Sequence, residues 1–288
     1  MSDKPCIVTA ALNGVLTDPE RYSVPVTPAE MGAAAKEAQD AGATVVHIHF
    51  RAQGPGMGRF PTWEPAVCKE IVDSIRTEAP GVLINSSTGV VGTDISGPAG
   101  CLRAIKPEIA AMNSGSLNYL KARSNGQWAW PPMLFDNPIS KIDGFLAVMK
   151  EVGAVPEFEC FDMGIVRSVG LFAKVGMIQA PLHISFVMGV ASGMPARSDL
   201  LPILLDEAPD GSHCQSIVIG RQEVWEVHRA MAKLGGDVRT GLEDTFYLPD
   251  GSRATSNGQL VDTLVGIIRE EGREPATLAQ TRALYGLA

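Results

Sequence analysis

Residues 44–51, TVVHIHFR, set two histidines into a run of branched and apolar side chains. Such a run favours a pleated, half-buried strand whose side chains alternate between two faces. His47 and His49 therefore share one face, with Val46, Ile48 and Phe50 on the other. Residues two apart on a strand have Cα atoms roughly 7 Å from each other, so both ring nitrogens can meet one ion at about 2.0–2.1 Å. Two imidazoles aimed into one space propose a metal. They also require a third ligand, and the search for it depends on the sheet to which this strand belongs.

Working outward, apolar runs bounded by turn residues predict strands at 6–12, 44–50, 81–87, 108–114, 156–162, 182–189, 215–220 and 238–244. Helical patterns fall between them, at 28–40, 64–78, 98–105, 140–152, 168–176, 199–207, 222–234 and 257–271. The first opens with a capping box, Thr27 at the N-cap, Pro28 at N1 and Glu30 at N3, and Gly42 ends it. Strict alternation of strand and helix implies a parallel sheet, and eight repeats imply a closed TIM (β/α)8 barrel. The chain has 288 residues and no Gly/Ser/Pro linker, so the expectation is one domain, 1–288. Its long irregular stretch, 120–138 (LKARSNGQWAWPPMLFDNP), follows the fourth strand and exceeds an ordinary βα loop. That insertion suits a lid, a structural plug or a subunit contact, and Trp128 and Trp130 fit any of these.

Composition excludes several classes. Hydrophobic residues at 45% and charged residues at 19% describe an ordinary globular core. A net charge of −8 without a Lys/Arg cluster argues against a nucleic-acid partner. No apolar run approaches the roughly 18 residues of a membrane span, and MSDKPCIVTAALNG lacks the features of a secretory signal. The five cysteines are odd in number, far apart and free of any CxxC. That argues against a disulfide framework or a thiolate zinc site, and each is expected to be a small buried hydrophobe in a reducing cytoplasm.

In a barrel, site residues come from the C-terminal ends of strands. Those ends offer Ser86, Ser87, Asn113, Glu159, His183, Ser185 and the segment DVRTGLED. In a closed barrel the last strand neighbours the first, so Glu243 lies two strands from the histidines and is the expected third ligand. Two His and one carboxylate leave an open position, the catalytic arrangement for Zn2+, with Fe2+ or Mn2+ also accommodated. Arg239 and Asp244 beside it read either as an acid/base pair or as a salt bridge at the barrel rim. His183 is read as site lining or as a core polar residue, and His213 and His228 as a loop and a helix-face residue. Arg221 is either a phosphate contact or a solvated cap.

At this point the chain resembles a known family. TAALNG, HIHFR, SSTG after strand three, AMNSGSLN, PEFECFD and VRTGLEDTFYLPDG, with SNGQLVDTLVGIIREEGREPAT, are similar to the β-keto acid cleavage enzymes, over nearly the whole chain. The resemblance implies a zinc-dependent TIM barrel, a homo-oligomer (dimer or tetramer), that reacts a β-keto acid with acetyl-CoA to give acetoacetate and a new acyl-CoA. It also implies His47, His49 and Glu243 as zinc ligands and Asp244 with Arg239 as the dyad that removes the C2 proton. Ser87 would lie beside the reacting carbon, and Asn113 and Glu159 would line the substrate pocket.

Two departures bear on substrate. Leu16 and Ala111 stand where the family's lysine-fermentation enzymes carry an acid and a threonine. An amino-bearing substrate is thereby disfavoured, and Trp128 with Trp130 would suit an aromatic cage for a quaternary ammonium tail. The rival readings are a metal-dependent hydrolase of amidohydrolase type and a non-catalytic carboxylate-binding barrel. The former places its HxH on strand one and further histidines on strands five and six, whereas strand five here, PEFECFD, has none.

Overall fold

The structure is a computed structural model that describes residues 4–287. Its first half runs β1 (Val8–Ala11), α1 (Pro28–Asp40), β2 (Val45–Ile48), α2 (Pro65–Glu78), β3 (Leu83–Ser86), α3 (Ser96–Ile105) and β4 (Ile109–Asn113). A hairpin of β5 (Leu117–Tyr119) and β6 (Met133–Phe135) leads into α4 (Ile139–Val152). Then follow β7 (Val155–Cys160), α5 (Met163–Lys174), β8 (His183–Met188), α6 (Leu201–Glu207), β9 (His213–Val218), α7 (Glu223–Lys233), β10 (Asp237–Thr240), α8 (Asn257–Glu270) and α9 (Leu278–Leu284). Eight parallel strands close in the order β1-β10-β9-β8-β7-β4-β3-β2. The TIM barrel expected from the alternation is the fold. No helix among the described residues is long and apolar enough to cross a membrane.

Strand parity divides the barrel into two compartments. Val8, Ala10, Val46, Ile48, Ile84, Met112, Phe158 and Phe186 point outward and pack with helix residues such as Met31, Ile71 and Leu264. Each large apolar side chain buried there contributes about 1.5–3 kcal/mol. The other parity points inward. At the bottom, Ile7, Val45, Leu83 and Ile109 form an apolar layer with Ala276 and Tyr285. Above it the inward positions turn polar, with Thr9, His47, Asn85, Glu157, Ser185, Gln215 and Arg239 all buried. One network there runs from the Thr9 hydroxyl to Gln215 Oε1 at 2.7 Å and from Gln215 Nε2 to Ser185 Oγ at 3.1 Å.

Four features differ from expectation. The 120–138 stretch is not wholly irregular, because its flanks pair as the β5–β6 hairpin and Leu120 N donates to Ser192 Oγ at 3.1 Å. The fifth helix begins at Met163, five residues early, because Asp162 caps it by accepting from Ile165 N at 2.8 Å. Helix α9 was not expected; Thr277 and Gln280 give it a reciprocal capping box, and it brings Tyr285 to the barrel's lower end. Finally, Cys68 and Cys101 form a disulfide between α2 and α3, with Cα atoms 6.1 Å apart, while Cys6, Cys160 and Cys214 are free and buried. The paired cysteines lie 33 residues apart, about one βα repeat, so adjacent helices bring them together without any local motif.

Candidate active site

The exit of β2 is held by two residues to which the sequence reading gave no role. Asn13 Oδ1 accepts from His49 N, and Asn13 Nδ2 donates to His49 O, each at 3.0 Å. The same amide nitrogen reaches Pro25 O at 3.1 Å. Arg51 is fully buried and donates to the carbonyls of Gly14 (2.9 Å), Asn13 (3.0 Å), Thr17 (2.9 Å) and Gly58 (2.8 Å). Together they tie the loop after β1 onto the loop after β2, so His49 is rigid although it lies one residue past the strand.

Glu243 arrives from the other side of β1. Strand β10 stops at Thr240 because Gly241 takes φ +152°, where a Cβ would stand 2.1 Å from Ala11 O. The chain then turns, with Asp244 N and Thr245 N donating to Gly241 O at 2.9 and 3.0 Å. Asn257 fixes this turn by accepting from Leu242 N and donating to Leu12 O, at 2.9 and 3.0 Å. Gly14, at φ +50°, leaves the space that the Glu243 side chain crosses.

The three expected ligands converge. His47 Nε2 and His49 Nε2 are 3.2 Å apart, His49 Nε2 is 3.3 Å from Glu243 Oε1, and His47 Nε2 is 3.7 Å from Glu243 Oε2. Donors at about 2.0–2.1 Å from a tetrahedral ion are separated by about 3.3 Å, so these three atoms describe one face of such a shell. Glu243 Oε2 is buried without a hydrogen-bond partner, which leaves it free to ligate. Burial, with Arg239 nearby, pushes His47 well below the usual imidazole range and keeps it neutral, as a ligand must be. Burial alone would raise Glu243, but His49 and Arg239 outweigh it and hold the carboxyl well below the ordinary range. This cluster is therefore able to hold a metal ion.

Arg239 organises the acids. It is 2% exposed and grips Asp244 with two hydrogen bonds, Nε to Oδ2 at 3.0 Å and Nη2 to Oδ1 at 2.9 Å. Nη2 also reaches Glu243 Oε1 at 2.9 Å, and Nη1 lies 3.5 Å from Glu159 Oε1. Burial raises Asp244 above the usual carboxylate range, against the pull of Arg239. Burial also pushes Glu159 up to about 8, with Arg239 again opposing. The result is a carboxylate with raised basicity, fixed in orientation beside a cation site, which can accept a proton from a bound carbon acid.

Ser87 follows β3, and its amide donates to Ile48 O at 3.0 Å. Asn113 ends β4 in register with Glu159 on β7, both facing inward. Gly89 joins these to the hairpin: a Cβ there would stand 3.7 Å from Ser87 Oγ, 3.8 Å from Asn113 Nδ2 and 3.9 Å from Phe135 Cζ. The hairpin aromatic beside this part of the site is thus Phe135. Trp130 instead stacks on Tyr119 at 5.7 Å, and Trp128 is 52% exposed. Lys141 anchors the far end of the hairpin, donating to Val90 O at 2.7 Å and Asp136 O at 2.8 Å.

The remaining candidates lie elsewhere. His183 is the first residue of β8, at the opposite end of the barrel, between His213 and Tyr285 with ring centroids 5.0 and 3.9 Å away. It is a core polar residue, and His213 is a strand residue rather than a loop residue. His228 is buried on α7 with Nδ1 3.0 Å from Ser216 Oγ. Arg221 stacks over Tyr247, 4.2 Å from the ring centroid.

Comparison with known proteins gives the family. A family model described as beta-keto acid cleavage enzyme matches residues 5–287. The 3-oxoadipate:acetyl-CoA acetyltransferase of Cupriavidus necator is 33% identical over 99% of this chain and 95% of its own. A 3-keto-5-aminohexanoate cleavage enzyme of Acetoanaerobium sticklandii is 35% identical over 98% of both. The 3-dehydrocarnitine:acetyl-CoA trimethylamine transferase of Rhizobium meliloti is 30% identical over 92% of this chain and 91% of its own. Among solved structures the apo form of ObcA superposes with a TM-score of 0.67 at 21% identity, covering 92% of this chain and 65% of that one, which bears on the fold alone. With the model matching essentially end to end, this chain is an enzyme of the beta-keto acid cleavage family.

Proposed function

We propose that the enzyme reacts a β-keto acid with acetyl-CoA, releasing acetoacetate and a new acyl-CoA. The observation that carries this reading is the convergence of His47, His49 and Glu243 beside the Arg239–Asp244 pair. His47, His49 and Glu243 would hold a divalent cation, and two imidazoles with one carboxylate suit Zn2+ ahead of Fe2+ or Mn2+. When bound, the cation supplies Lewis-acid polarisation of the substrate's keto and carboxylate oxygens.

The chain's own residues account for the rest. Asp244, aligned by both of its bonds to Arg239, takes the C2 proton. The C2 carbanion attacks the acetyl carbonyl, forming a C–C bond and expelling CoA thiolate. The thiolate adds to the original keto carbon, and the bond from that carbon to C2 breaks with its electron pair on C2. Asp244 returns the proton there, which completes acetoacetate. Ser87 sits beside the reacting carbon, Asn113 and Glu159 line the substrate, and Phe135 screens it from water. Because acetyl-CoA is the co-substrate, the reading places the enzyme in the cytoplasm. It also has the chain assemble as a homo-oligomer, dimer or tetramer, with exposed hairpin residues such as Trp128 and Leu134 available for contact.

The test is a panel assay. Protein of measured metal content is given acetyl-CoA and β-keto acids bearing dicarboxylate, ammonium, quaternary ammonium or neutral tails, and products are followed by mass spectrometry. Acetoacetate that depends on both metal and acetyl-CoA is the expected result. Hydrolysis products without any acyl-CoA would overturn the reading.

A further inference from the structure

Beneath the ligand cluster lies a file of buried polar atoms that the reaction does not use. His47 Nδ1, on the far side of the ring from the other ligands, has no hydrogen-bond partner. Asn85 is its register neighbour on β3, is fully buried, and has neither Oδ1 nor Nδ2 paired. Glu157, inward on β7, accepts from the Tyr285 hydroxyl at 3.3 Å through Oε2 while Oε1 has no partner. The Asn85 amide interacts with both the His47 ring and the Glu157 carboxylate, although at the distances in the structure neither amide atom completes a hydrogen bond.

With Glu157 ionised, as the Tyr285 hydroxyl donating to it and the nearby Arg239 favour against its burial, donor and acceptor chemistry permits these atoms one arrangement. The ionised carboxylate can only accept, so it receives the amide NH2 of Asn85. That turns the Asn85 carbonyl toward His47, and a carbonyl needs a donor, which places the imidazole proton on Nδ1 and leaves Nε2 with its lone pair. The arrangement would satisfy four of the nine unpartnered buried side-chain atoms among the described residues. Metal-binding imidazoles characteristically donate their second nitrogen to such a partner, which fixes ring orientation and tautomer.

We propose that Asn85 and Glu157 are positioning residues for His47, a relay from Tyr285 through Glu157 and Asn85 that holds the imidazole with Nε2 bare toward the ligand cluster. The inference rests on His47 being a metal ligand.

The test combines tautomer and metal affinity. In zinc-loaded wild-type protein with 15N-labelled histidine, long-range 1H–15N correlations should show His47 protonated at Nδ1 and metal-bound at Nε2. Asn85→Leu, similar in shape but without polar atoms, and Glu157→Gln, which donates as readily as it accepts, should each weaken zinc binding about 10–100-fold in competition with a chromogenic chelator. Glu157→Gln should also mix the His47 tautomers. His47→Ala is the reference: undiminished zinc binding there overturns the metal reading itself. Loss of zinc in His47→Ala with wild-type affinity in both relay variants overturns the relay alone, as does a wild-type His47 protonated at Nε2. Should Asn85→Leu fail to fold, Glu157→Gln and the wild-type tautomer decide.

Discussion

Gly14→Ala offers a sharp test of the site because its two costs can be measured separately. The residue sits at φ +50°, where a side chain costs about 1–2 kcal/mol of strain. For a chain of this size that lowers Tm by a few degrees, with roughly 2–4 °C per kcal/mol. The second cost falls on function. An added Cβ would stand 2.8 Å from Glu243 Cγ, while ordinary contact begins at 3.4 Å, so the carboxylate must retreat by about 0.6 Å. Glu243 also holds Arg239 Nη2 at 2.9 Å, so the retreat disturbs the support of Asp244 as well. A misplacement approaching 1 Å can cost on the order of 100-fold in rate. The expected result is weakened zinc binding and a kcat/KM reduced by about 30–100-fold, in a protein that still melts cooperatively within a few degrees of wild type. Steady-state kinetics, chelator competition and a thermal melt check it. A Gly14→Ala enzyme with wild-type zinc affinity and turnover would refute the assignment of Glu243.

Asp244→Asn keeps an acceptor for Arg239 but cannot take a proton, so kcat should fall about 10²–10⁴-fold with metal content unchanged; comparable turnover would make Asp244 a rim salt-bridge partner only. Removing metal with dipicolinate should abolish acetoacetate formation and Zn2+ should restore it, whereas full activity in metal-free protein would remove the Lewis acid from the reading. Asp237, away from the site, tests buried-charge linkage: burial pushes it up to about 7, although it accepts from Ile7 N at 2.8 Å. Between about pH 4 and 7 the folded protein holds this proton while the unfolded chain has released it, so raising pH costs stability across that window and no further above it. The stability of wild type relative to Asp237→Asn should therefore decline from pH 4.5 to 7.5, and a flat difference in denaturant midpoints would contradict the shift.

Much of the fold was legible because its signals are local. The capping box at Thr27 and Glu30 marked α1 to the residue, and the period-two pattern of residues 44–50 put His47 and His49 on one face. Glu243 could be found only through closure of the barrel, and even then its local geometry was hidden. It stands in a turn beyond β10, past Gly241, where a side chain would collide with Ala11 O. The T-x-x-Q box at Thr277 was readable, yet no long apolar periodicity followed to suggest α9. Asn13, Asn85, Asn257 and Glu157 acquire roles only from partners far away in sequence, such as His49 for Asn13 and Leu12 for Asn257. The Cys68–Cys101 pair was missed for the same reason, since its spacing reflects helix neighbourhood rather than a motif.

The apolar layer of Ile7, Val45, Leu83 and Ile109, stoppered by Tyr285, makes the barrel a blind tube. The opposite end, where the strands deliver His47, His49 and Glu243, is therefore the side from which a substrate would enter. Under the proposed reaction, a keto acid held at those three residues would lie deeper than the thioester that reacts with it, and a thioester still in the mouth would imprison the other product. Slow turnover at high acyl-CoA would then be a property of the plumbing rather than of the chemistry.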